Sequence, residues 1–193
     1  MIKIVLLVVA LIPAWALAAQ SLRHALGDNP IETLMYETGD WTMLLLAATL
    51  AITPLRRITG IHSLISFRRM LGLLTFYYGC LHCGTYLWLD KSLRAIAIFA
   101  DLSNRQFILA GLSAFILMIP LALTSNIASI RRLGHRWRDL HRWIYVIAVA
   151  AVIHYVWMRP HEAKPYFYLV LFSALLLARL PKLHSCPEAT IVH

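Results

Sequence analysis

Hydrophobic residues fall into six long runs, and polar residues collect between them. The runs are Ile4–Ala19, Trp41–Leu55, Leu71–Leu89, Phe107–Leu123, Trp143–Met158 and Tyr166–Leu180. Several are shorter than the roughly 20 residues of a perpendicular membrane crossing. Flanking Trp, Tyr and Arg extend them into the interface. A backbone in lipid must satisfy its own hydrogen bonds, so each run is expected to be a helix. The pattern predicts an all-α fold, a polytopic membrane helix bundle with six transmembrane helices. No repeat, low-complexity segment or long linker divides the chain. It is expected to form a single transmembrane domain over 1–193, with its core at about 40–180 and a short cytoplasmic tail at 181–193.

Composition supports a membrane rather than an aqueous setting. Of the 193 residues, 60% are hydrophobic and only 14% are charged, where a soluble domain carries about a quarter charged. The net charge of +9 could suggest nucleic acid. Here the basic residues sit in short loops between apolar runs, with no separate basic domain, so nucleic acid is not expected as a partner. Membrane lipid is.

The basic residues also set an orientation. With the N-terminus inside, 12 of the 18 Lys and Arg fall on the cytoplasmic side. They include Arg56, Arg57, Arg68 and Arg69, the loop 131–142, Arg179 and Lys182. Seven of the nine acidic residues then fall outside. This predicts N-in and C-in. Residues 1–20 admit a rival reading, a cleaved signal peptide, which leaves five spans in the same orientation.

Nine histidines are present. His24, His62, His135, His161, His184 and His193 fall in loops, at boundaries or in the tail, and are expected to be solvated. His82 and His154 fall within runs three and five, where an ionisable residue points to function. His82 lies 13 residues after Arg69, and His154 lies 12 after Arg142. At about 1.5 Å per residue, both stand about 18–20 Å above the inner end. Two imidazoles at one depth on two helices can face each other across a flat cofactor, as bis-histidine ligation of a b-type heme requires. Gly79, Ala150 and Ala151, one turn below, leave room for a porphyrin. The plainer reading is close helix packing with each histidine hydrogen-bonded to a neighbour.

His141 opens run five, about 20 Å below His154. The matching inner level of run three carries Arg68 and Arg69, so a second bis-histidine heme lacks a partner. His141 is open between ligating a heme alone, contacting another cofactor, and lying at the interface. The basic loop SIRRLGHRWRDLHRW suits lipid headgroups or an anionic cofactor group.

The stretch YGCLHCGTY places Cys80 and Cys83 around His82 at C-x-x-C spacing. On one helix, His82 points about 160–200° from Cys80 and about 100° from Cys83, so the three do not converge on one metal. A disulfide within one turn is strained. Both cysteines are expected to be small packing residues, and Cys186 lies in the tail. No G-x-G-x-x-G or phosphate loop occurs. The electron donor must therefore be a separate molecule or a flavin held among the helices.

The ordered set ITPLRR, FRRMLGLLTFYYGCLHCGTYLW, LALTSN, RRLGHRWRDLHRWIYV and IHYVW resembles the MsrQ family, formerly YedZ, over about residues 28–180. These are heme-binding membrane subunits within the ferric-reductase-like transmembrane group. The resemblance implies electron transfer in the bacterial inner membrane, from the quinol/quinone pool to MsrP. MsrP is a periplasmic molybdopterin enzyme that reduces methionine sulfoxide in oxidised proteins. It implies heme b and FMN as cofactors. It places the family's heme histidines on His82, His154 and His141, as iron ligands rather than catalytic residues of the chain's own. Two other readings compete. A direct ferric or oxygen reductase would reduce substrate without a protein partner, and a non-redox transporter or assembly factor would purify colourless.

Overall fold

Apolar side chains facing lipid force the backbone to pair with itself, and helices are the local solution. The computed structural model describes residues 2–179, and among these no strand occurs. Lys182, His184, Cys186, His193 and the predicted tail lie outside the described residues. The helices are α1 (Ile2–Leu22), α2 (Pro30–Thr59), α3 (Ile65–Gly84), α4 (Ala95–Asn104), α5 (Gln106–Leu123), α6 (Ile127–Leu133), α7 (His135–His141), α8 (Ile144–Met158) and α9 (Ala163–Leu177). A 3₁₀ turn, His62–Leu64, leads into α3, and a π-helical stretch, Thr85–Asp90, prolongs it.

Every predicted apolar run lies on a helix, apart from Trp143, Ala178 and Arg179 in turns and the undescribed Leu180. Four stretches are long and apolar enough to cross a membrane: α1, α2, α5 and the α7–α8 stretch His135–Met158. Their outward faces are apolar yet exposed, as at Ile116 and Val149. Lipid, not water, is the solvent that accepts such a surface.

Three boundaries differ from the sequence reading. Helix α2 starts at Pro30 rather than near Trp41. The Asn29 side chain accepts from the Glu32 amide at 3.4 Å, and Pro30 occupies the first turn, where its missing N–H costs nothing. The loop after run three holds α4, whose Ile96 and Phe99 are exposed while Asp101 is mostly covered. The basic loop forms α6 and α7, broken at Gly134, where φ of 55° suits a residue without Cβ.

The bundle packs α2 antiparallel on α3 and α5 on α8. Gly72 of α3 sits opposite Thr49 of α2, and further along Gly39 sits opposite His82. Leu46, Leu50, Met118, Ile147, Ala148 and Phe172 form the centre of the core.

Two prolines open helical turns, and a distant side chain repairs each. Pro54 in α2 has no N–H to give the Leu50 carbonyl. Arg179, 8% exposed, supplies it: Nε donates to Leu50 O at 3.0 Å and Nη2 at 2.7 Å, with Thr49 O at 3.3 Å from Nη2. Sequence reading counted Arg179 among the charges of the cytoplasmic side and gave it no partner; the structure buries its side chain. In α1, Pro13 loosens the adjacent turn. The hydroxyl of fully buried Tyr78 donates to Ala10 O at 2.7 Å and accepts from Ala14 N–H at 3.2 Å, bridging the pair and holding α1 on α3.

Candidate functional site

Helices α2, α3, α5 and α8 surround a cavity of about 420 Å³. His82 enters from α3 and His154 from α8, and their ring centroids stand 6.0 Å apart at 78°. The depth match read from the sequence thus corresponds to a real juxtaposition. Each ring is anchored by a helix other than its own. His82 Nδ1 lies 2.9 Å from Met35 O of α2, and His154 Nδ1 lies 2.6 Å from Phe107 O of α5. A carbonyl only accepts, so each Nδ1 carries the proton and donates. Each Nε2 is left with its lone pair free, the state in which an imidazole binds a metal.

Two glycines make this placement possible. A Cβ at Gly39 would stand 3.1 Å from His82 Nδ1, and one at Gly111 only 2.6 Å from His154 Nδ1. Gly39 belongs to α2 and Gly111 to α5, the helices whose carbonyls hold the rings. Sequence reading missed both, because their role exists only across a helix–helix contact. Gly79 and Ala151 line the cavity as expected. Ala150 instead packs against the core.

The residues fit a bis-imidazole metal group. Two imidazoles sharing one metal, with metal–nitrogen bonds of about 2 Å, have centroids about 6 Å apart. The floor is apolar, with Leu46, Ala114, Phe115 and Met118, while the mouth carries Asn29, Glu32, Tyr86, Asp90, Arg105 and Arg159. An amphipathic plate such as a porphyrin matches that gradient. Among the described residues, no three of His, Cys, Asp and Glu gather into a metal cluster. Cys80 and Cys83 are free and half-buried, and Cys83 touches the cavity.

Beside the mouth, Asp40 ties two elements together. Tyr155 donates to its Oδ1 at 2.6 Å, and Lys164 pairs with its other oxygen. At the end of the π-helical stretch, next to the lining residue Asp90, Lys91 pairs with Asp101 at 2.7 Å and with Asp90 at 3.0 Å. The Lys91 hydrogen bond holds the Asp101 carboxyl below its ordinary range, and the two carboxylates hold the Lys91 ammonium above its own.

His141 lies apart from the other two histidines. It stacks on Trp137 at 3.9 Å, and its Nδ1 donates to Trp137 O at 3.1 Å. Its Nε2 is buried without a partner. A smaller cavity of about 160 Å³ there is lined by Arg68, Trp137, Arg138, Arg142 and Tyr145. Arg68 thus stands where a facing histidine would be needed. His24, His62, His135 and His161 are exposed.

Comparison with known proteins gives the geometry a family. The family model described as ferric reductase like transmembrane component matches residues 38–152. The chain is 46% identical over 184 residues to the protein-methionine-sulfoxide reductase heme-binding subunit MsrQ of Herminiimonas arsenicoxydans, covering 93% of this chain and 84% of that one. Identity to the same subunit of Azospira oryzae is 46% over 91% of this chain and 76% of the relative. To that of Ralstonia nicotianae it is 43%, over 93% and 84%. No solved structure matches the chain significantly.

Proposed function

We propose that this chain, which belongs to the MsrQ family of ferric-reductase-like transmembrane proteins, is the heme-carrying electron-transfer subunit of a methionine sulfoxide reductase system. In this reading it spans the bacterial inner membrane six times, N-in and C-in. It takes electrons from the quinone pool, with heme b and FMN as cofactors, and passes them to a periplasmic molybdopterin partner, MsrP.

The observation that carries the reading is the pair of neutral imidazoles, His82 and His154, held 6.0 Å apart by carbonyls of other helices. Heme b bound there supplies one-electron chemistry, with its potential tuned by the axial ligands and the dry surroundings. The chain's own residues do the rest. Met35 O and Phe107 O fix the tautomers, Gly39 and Gly111 admit the rings, and the apolar floor excludes water. His141 serves as a third, separate cofactor contact, supported by its buried and unpartnered Nε2.

The purified protein should show the absorbance of a six-coordinate b heme. His82→Ala and His154→Ala should each abolish that signature. A variant lacking either imidazole with an unchanged spectrum would overturn the ligand assignment.

A further inference from the structure

The cavity's mouth holds a buried cation with an unused donor. Arg159 ends α8, five residues after His154, and lines the same cavity. Its side chain is only 10% exposed. Its guanidinium lies 3.7 Å over the Tyr36 ring and 5.8 Å from that of Tyr155. Nη1 donates to Glu162 Oε2 at 3.2 Å, but Nε is buried and has no acceptor. A buried N–H of a charged group left unpaired is costly, and such groups are rare unless a ligand completes them.

The neighbouring carboxylates do not complete it. Glu32 Oε2 accepts from Asn29 Nδ2 at 2.7 Å, and Asp90 pairs with Lys91 at 3.0 Å. Glu162, half exposed, meets Arg159 through Nη1 only. Nη2 also has no hydrogen-bond partner among the described residues, so the guanidinium keeps a donor for the cavity's contents. Arg105, 58% exposed, lines the same mouth and lies 3.9 Å from Asp101. It is a second cation in the cavity lining.

We propose that Arg159 is the carboxylate anchor of this cavity: its guanidinium takes a propionate of the porphyrin and fixes which edge of the plate faces the mouth. This rests on the bis-histidine reading and extends it. The two imidazoles hold the centre of a nearly square plate and leave its rotation about their axis undetermined. A single charged hydrogen bond at one side removes that freedom. Arg suits the task because its planar donors match a carboxylate and its charge persists when buried. Arg159 is a binding and positioning residue; it does not ligate the metal.

The test compares two forms of the same ligand. Full-length protein made without heme is titrated in lipid nanodiscs with hemin and with hemin dimethyl ester, whose carboxylates are blocked. The wild-type protein should bind the free acid at least about tenfold more tightly. Arg159→Met and Arg159→Gln should lose that preference, binding both forms alike while keeping the six-coordinate spectrum. Arg159→Lys, which keeps the charge, should retain part of it. The variants' heme midpoint potential should also fall, since a cation beside the group favours the reduced state. Equal binding of acid and ester by the wild type would overturn the proposal even if every variant misfolded. So would a preference that survives Arg159→Met. A wild-type spectrum that is not six-coordinate would sink the bis-histidine reading instead.

Discussion

Replacing Arg179 by Met tests whether a side chain from one end of the chain substitutes for the N–H that Pro54 lacks. Three hydrogen bonds at 2.7–3.3 Å join its guanidinium to Leu50 O and Thr49 O, and the side chain is 8% exposed. Hydrogen bonds to charged groups contribute about 1.5–3 kcal/mol each, and an abandoned buried acceptor costs about 1–3 kcal/mol. Burying the guanidinium itself is unfavourable, which offsets part of the gain. Counting the two abandoned carbonyls at about 1–3 kcal/mol each and the relief of the buried charge against them, the net cost of Arg179→Met is about 2–3 kcal/mol. Pro54→Ala gives position 54 an amide able to bond Leu50 O directly. In that background the cost of Arg179→Met should shrink by about 1–2 kcal/mol, a coupling a double-mutant cycle resolves. The assay is reversible unfolding in mixed micelles, followed by tryptophan fluorescence. Equal costs in both backgrounds would show that Arg179 is not replacing the missing donor.

Gly111→Ala should displace His154, because the new Cβ would sit 2.6 Å from the ring. Gly39→Ala, with 3.1 Å available, should perturb His82 less. Heme absorbance and electron paramagnetic resonance of the two variants rank the effects, and the opposite order would contradict the packing. The ion pairs around Lys91 should make the docking of α4 on the end of the π-helical stretch depend on pH. Asp101 is held below its ordinary range by Lys91, so its contribution is present above about pH 4 and disappears as pH falls through the folded value. Lys91 is held above its ordinary range, so its contribution lasts until pH rises past about 10.5. Amide protection factors across 91–104, taken relative to the intrinsic exchange rate at each pH, should therefore be high between these limits and fall beyond either one. Protection independent of pH would remove the pairs from the account.

The bundle was legible because the hydrophobic runs are long and the loops are short. The His82–His154 meeting was legible because two distances from basic helix ends could be compared on one sequence. The start of α2 was readable in principle, since Asn29-Pro30-x-Glu32 is a helix-opening pattern, but the acidic stretch around it hides the continuation. Gly39, Gly111, Arg159 and Arg179 could not be found that way. Each acts on a residue of another helix, Arg179 on one 129 positions away. Their meaning depends on which faces meet, and no local periodicity records that. The burial of Arg179 was illegible for a related reason: a cation beside an apolar run looks the same whether it faces water or a broken turn.

The Tyr78 hydroxyl between Ala10 and Ala14 also bears on the order of assembly. Synthesis delivers α1 first, and the bridging residue is made more than 60 residues later. Until then the Ala14 N–H and the Ala10 carbonyl have only each other, across a turn that Pro13 loosens. The bridge forms when α3 packs on α1. One helix thus carries both His82 and the hydroxyl that braces α1.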